Sequence, residues 1–147
     1  MRGLAYILGI SAGFGLALQV GMNAQLRRIL QSANAAALVS FLVGTTALVC
    51  LLFATRTTLP GRETWASVPA WAWFGGLFGA FYVAISTVVA SELGAASLLA
   101  LALMGQLAMA LVVDHYGWLG LPVNPITWTR VAGVALLGGG VWLVTRS

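Results

Sequence analysis

The sequence predicts an all-α integral membrane protein of five transmembrane helices, and three observations carry that prediction. Apolar residues make up 61% of the 147 residues and charged residues only 7%, against about 25% charged in soluble domains. The charges fall between the apolar runs. Five of those runs reach roughly 20 residues, the length a helix rising 1.5 Å per residue needs to cross a hydrocarbon core about 30 Å thick. A soluble fold of this size has too little interior to hide so much apolar surface, whereas lipid accepts it.

The five spans fall at about 3–22, 35–54, 71–90, 93–113 and 126–145, within one domain covering 1–147. The first continues as helix toward Arg27. Met1-Arg2 before an apolar run resembles a signal peptide, but the run exceeds the usual apolar core of about 7–15 residues and reads as an anchor that stays. Arg56, Pro60, Gly61, Arg62, Glu63 and Pro69 mark the longest loop. Ser91-Glu92 leaves room only for a tight turn, with Glu92 placed to favour the amino-terminal dipole of the fourth span. Residues 114–122 are too apolar to be freely solvated and are expected in the headgroup zone or folded back on the bundle. Trp65, Trp71, Trp73, Trp118, Trp128 and Trp142 all lie near span ends, as an aromatic belt requires.

All seven basic residues are Arg, standing singly or as one pair between apolar runs. That pattern is one of headgroup anchors, so the partner is membrane lipid and not nucleic acid. Cys50 and His115 are the only residues of their kind, which offers no disulfide, no metal site and no cofactor site.

Helices in lipid pack through small residues. Gly9 with Gly13, and Gly75 with Gly79, have GxxxG spacing; Gly76 with Ala80, and Ala135 with Gly139, repeat it with a small partner. Polar side chains inside a span are costly unless paired or facing a cavity, so they are the candidate site residues. In the first span Ala12, Gly15, Gln19 and Asn23 share one face. The third span carries Gly75, Gly79, Tyr82 and Ser86 on a comparable face, and the fourth carries Gln106 ahead of Ala110 and Asp114. Gln19, Asn23, Tyr82, Ser86 and Gln106 are therefore expected to line a substrate cavity between the first, third and fourth spans. The alternative is that these groups hold helices together.

Asp114 closes the fourth span, where the helix dipole disfavours an acid, so a partner is expected in His115 or Arg130, as a structural ion pair or a coupling site. No acid falls inside a predicted span. Proton-coupled cation transport ordinarily relies on such a carboxylate, so a neutral or amphipathic solute is at least as well suited.

Gln19, Asn23 and Leu26, then Trp71 to Phe81 as WAWFGGLFGAF, then Gly105-Gln106 and Asp114-His115-Tyr116-Gly117 resemble the YdcZ-type branch of the drug/metabolite transporter superfamily. The resemblance covers most of the chain. It implies a five-helix bundle related to small multidrug resistance exporters, working as an antiparallel pair in the bacterial inner membrane, and it adds Gly105 to the packing positions. With five spans the Arg residues divide four against three between the two sides, which predicts a dual-topology homodimer, the alternative being a fixed topology with a partner subunit of opposite bias. Two departures stand out: the small multidrug exporters place a glutamate in the first helix, absent here, and relatives turn after the third helix on Pro and a basic residue where this chain has Ser91-Glu92. The expected function is export of a small metabolite or toxic compound by alternating access in an inverted dimer. A structural or accessory membrane protein is the alternative, and no nucleophile-and-base pair suggests an enzyme.

Overall fold

The computed structural model describes residues 2–146, with side chains from Gly3 onward, and every regular element in it is helical. The elements are α1 (Arg2–Leu30), α2 (Ala33–Ala54), the short α3 (Arg62–Ala66), α4 (Gly75–Tyr116) and α5 (Trp128–Thr145). Turns of 3-10 helix at Ala70–Phe74 and Trp118–Gly120 flank α4. Among the described residues, four stretches are long and apolar enough to cross a membrane: Gly3–Leu30, Ala33–Ala54, Ala70–Tyr116 and Trp128–Thr145. The chain is an all-α membrane protein. The contacts group it into two units, Met1–Val88 and Val89–Ser147.

In the first unit α1 runs unbroken to Leu30, eight residues past the predicted span. Arg27 and Arg28 occupy its last turn, where cations suit the dipole. Gln31 then takes the left-handed conformation, φ 52°, and its Nε2 donates to the Arg28 carbonyl at 2.6 Å. Ser32 caps α2, its Oγ accepting from the Ala35 N–H at 3.2 Å. This two-residue connection makes α1 and α2 a helical hairpin. At its far end α2 stops in a Schellman arrangement, with Thr57 N–H donating to the Leu52 carbonyl and Arg56 N–H to that of Phe53, while Arg56 adopts φ 51°. Trp65 then donates from Nε1 to the Pro60 carbonyl and stacks on Trp73 with centroids 5.8 Å apart, tying the 55–74 loop together. The amino-terminal part of α4 approaches α2 where Gly79 lacks a side chain. A Cβ there would lie 3.4 Å from the Phe41 ring.

The sequence places a turn at Ser91-Glu92 between the third and fourth spans. The structure corrects this: both residues are helical, and the backbone departs from helix two residues later, at Gly94, φ 81° and ψ 159°. Glu92 therefore sits in the closing turn of the 75–93 stretch and does not open the 95–116 stretch. The reason is conformational, because that region of backbone space is accessible essentially to glycine alone.

In the second unit the 95–116 stretch of α4 lies beside α5, where a Cβ on Gly138 would meet the Met104 sulfur at 3.9 Å. Gly117, φ 62°, ends α4 in the left-handed conformation, and the chain turns back through Leu119, φ 60°, and Gly120, φ 77°. The apolar 114–122 segment is thus a compact turn, with Tyr116 and Trp118 stacked 5.3 Å apart. The Asn124 N–H closes it on the Asp114 carbonyl at 2.8 Å.

A Cβ at Gly94 would meet nothing within 4 Å, so the cost of Gly94→Ala is purely conformational, about 1–3 kcal/mol. Chemical denaturation in detergent should show a loss of that size. An unchanged midpoint would mean that the backbone at this position is not held as described.

Candidate functional site

Several hydroxyls along these helices bond to their own backbone. Thr46 Oγ1 donates to the Leu42 carbonyl at 2.8 Å, Ser86 Oγ to Val83 at 2.9 Å and Thr87 Oγ1 to Ala84 at 2.8 Å. A hydroxyl can donate its one proton back to its own helix and so be carried through lipid at little cost. Ser86 and Thr87 are buried in this way. A carboxamide carries two N–H groups and a carbonyl, which neighbouring helical carbonyls cannot all serve. Among the described residues, the side chains of Gln19, Asn23 and Gln106 make no hydrogen bond, and no buried side-chain nitrogen or oxygen there lacks a partner, so these amide atoms are open to whatever fills the space beside them.

Two of these amides share one place. α1 and α2 enclose a groove of about 400 Å³ whose polar groups are the Gln19 and Asn23 amides and the Ser40 hydroxyl. Gly15 leaves room at one end, and Leu18, Met22, Leu26, Val39 and Val43 supply apolar walls. The helical repeat puts Gly15, Gln19 and Asn23 on one face, four residues apart. Asn23 is only 5% exposed, yet its side chain opens on the groove. One turn further along α1, Arg27 and Arg28 with Gln31 line a polar recess of about 150 Å³.

Ser40 is a member of this groove that the sequence does not single out. Its signal is present, as a hydroxyl in an apolar span, but nothing in the sequence sets the rotation of α2 against α1. Tyr82, half-buried, and Ser86, buried, lie on α4 and do not line this groove. Gln106 stands exposed on the 95–116 stretch. Of the packing glycines, Gly79 meets Phe41, while a Cβ on Gly9, Gly13, Gly75, Gly76 or Gly105 would touch nothing within 4 Å.

The second unit holds a separate polar cluster. Arg130 Nη2 lies 3.1 Å from Asp114 Oδ2, and its Nη1 donates to the Asn124 carbonyl at 3.2 Å. Arg130, not His115, thus carries the ion pair with Asp114. His115 instead bonds to backbone, its Nδ1 accepting the Ile126 N–H at 3.2 Å, which requires the neutral ring. Together these bonds pin the end of α4 to the start of α5 through the 117–127 connection. Beside them is a groove of about 280 Å³ lined by Leu107, Ala110, Leu111, Asp114, Arg130, Gly133 and Val134. Among the described residues no group of His, Cys, Asp and Glu could hold a metal ion.

Comparison with known proteins gives two findings. Residues 4–143 match the family model described as "Putative inner membrane exporter, YdcZ". The chain is also 32% identical over 140 residues to the inner membrane protein YdcZ of Escherichia coli strain K12, an alignment covering 93% of this chain and 91% of that protein. No solved structure matches the chain significantly.

The Asp114–Arg130 pair is about one-third exposed on both sides, so its ionic part is worth about 0.2–1 kcal/mol. Asp114→Asn, which keeps an acceptor for Arg130, should lower thermal stability in detergent only slightly. Arg130→Leu also strips the Asn124 carbonyl of its donor and should lower it more. Equal effects would show that the bond to Asn124 contributes nothing.

Proposed function

Because this chain belongs to the YdcZ inner membrane family, we propose that it exports a small metabolite or toxic compound across the bacterial inner membrane, by alternating access in an antiparallel homodimer. The observation that carries this reading is the α1–α2 groove, where Gln19 and Asn23 present unbonded amides on a helix otherwise built for lipid. A polar group without a partner in hydrocarbon costs several kcal/mol. Residues that serve only as spacers between lipid-facing helices would not bear that cost, whereas a solute entering the groove offsets it each time it binds.

Five crossings are supported by the length of Ala70–Tyr116. Its 47 residues would extend about 70 Å as straight helix, more than twice the hydrocarbon thickness of about 30 Å. A reversal at Gly94 turns that stretch into two crossings. Pairing with a second copy is supported by the faces left open in one chain: Gln106 is exposed, and the Gly9 and Gly13 face of α1 has nothing against it. A partner helix packed there would shelter the amide and use the small residues as lipid cannot.

The antiparallel arrangement is supported by charge. With five crossings, Arg2, Arg56, Arg62 and Arg130 fall on one side and Arg27, Arg28 and Arg146 on the other. Arg and Lys asymmetry is the main determinant of orientation, and four against three sets almost none. Copies inserted both ways would pair into the inverted repeat that larger transporters encode in one chain.

Two measurements check this reading. In proteoliposomes loaded with a panel of metabolites and dyes, Gln106→Leu should abolish efflux while crosslinking still captures the dimer; loss of the dimer instead favours a purely structural role for the amide. Carboxyl-terminal reporter fusions should give comparable signals on both sides of the membrane, and two Arg added at one terminus should drive the population to one side. A wild-type signal confined to one side, in cells where the chain needs no partner, contradicts dual topology.

A further inference from the structure

The charge around the α1–α2 groove narrows what can enter it. The chain has three acids, Glu63, Glu92 and Asp114, and none of them lines the groove. No charged residue of either sign does. The nearest charges along α1 are Arg27 and Arg28, one turn beyond Asn23, in the recess they share with Gln31. A cation entering the groove finds apolar walls and no counter-charge to replace its hydration. An anion is favoured at the recess but not deeper, because the amides present carbonyl oxygens as well as N–H groups. A carboxylate can use only the donors, and every carbonyl left facing it repels it. A neutral group with a donor and an acceptor side by side uses both halves of an amide and leaves none unpaired.

We propose that the α1–α2 groove binds an uncharged solute that sets an amide-type hydrogen-bonding edge against Asn23, Gln19 and Ser40 and an apolar body against the leucine, methionine and valine walls. The assignment rests on the transport reading above and names its substrate class. Three features carry it. Asn23 is nineteen-twentieths buried as a residue and makes no hydrogen bond among the described residues, and what stays open of it faces the groove. Gln19 stands one turn away on the same face. The groove volume of about 400 Å³ falls within the range of about 300–1,000 Å³ typical of small-molecule sites.

The test uses three probes of one shape and three charges, benzamide, benzoate and protonated benzylamine, titrated into the protein in lipid nanodiscs at pH 7. Ligand-observed NMR follows binding, with empty nanodiscs subtracting partition into lipid. Benzamide should bind saturably and at least tenfold more tightly than either charged probe. Asn23→Leu should weaken benzamide at least tenfold while the oligomeric state holds. Asn23→Asp, which installs the missing counter-charge, should reverse the order in favour of benzylamine. Preference for benzoate or benzylamine by the unaltered protein, absence of saturable benzamide binding, or insensitivity to both substitutions would each overturn the assignment. Flux in proteoliposomes separates the two levels: movement of charged solutes only leaves transport standing and removes this substrate class, whereas amide binding without flux keeps the site and counts against transport.

Discussion

Everything in this chain answers to one constraint: the hydrocarbon core supplies no hydrogen bonds, so each polar group within it must find a partner in the protein or in a bound molecule. The backbone meets the constraint by being helical in every regular element. Several hydroxyls meet it locally, as Ser11, Thr46, Ser86, Thr87 and Thr145 each donate to a carbonyl three or four residues earlier. The carboxamides of Gln19, Asn23 and Gln106 cannot. Of these, Gln19 and Asn23 come together with the Ser40 hydroxyl in the α1–α2 groove.

The same constraint explains where the chain may bend. A helix in lipid cannot open its backbone without exposing carbonyls, so reversals fall where a conformation or a cap repairs the break. Gln31 and Arg56 take left-handed backbone next to polar surface, with the Gln31 side chain and the Schellman bonds at Thr57 absorbing the freed carbonyls. Gly117 does the same at the end of α4, where any Cβ would lie 2.6 Å from Val123 Cγ2. At that position glycine is demanded both by backbone angle and by contact with Val123, which fixes the start of the connection to α5. Arg130 then holds the connection's far end through Asp114 and Asn124, so charge, glycine and neutral His115 join in one small structure.

Charge otherwise falls mostly at or beyond the ends of the long helices. Arg146 lies over the Trp142 ring at 4.1 Å, a cation–π contact suited to the headgroup region. With only three acids in the chain, the α1–α2 groove has no charged residue in its lining.

Much of this was legible in the sequence because lipid reads composition and length directly. The long apolar helices, the short hairpin after Arg28, the tryptophans at helix ends and the Gln19–Asn23 face all follow from hydropathy and the 3.6-residue period, which need no partner to be seen. The family was legible too, through motifs spread along the chain. The position of the break in α4 was not, since polarity pointed to Ser91-Glu92 while the backbone angles could be met only at Gly94. Nor did the sequence show that Ser40 joins the amides, or that Arg130 and not His115 takes Asp114, because these depend on how one helix is rotated against its neighbour and where a loop returns. Hydropathy says that a face is buried; only packing decides what it is buried against.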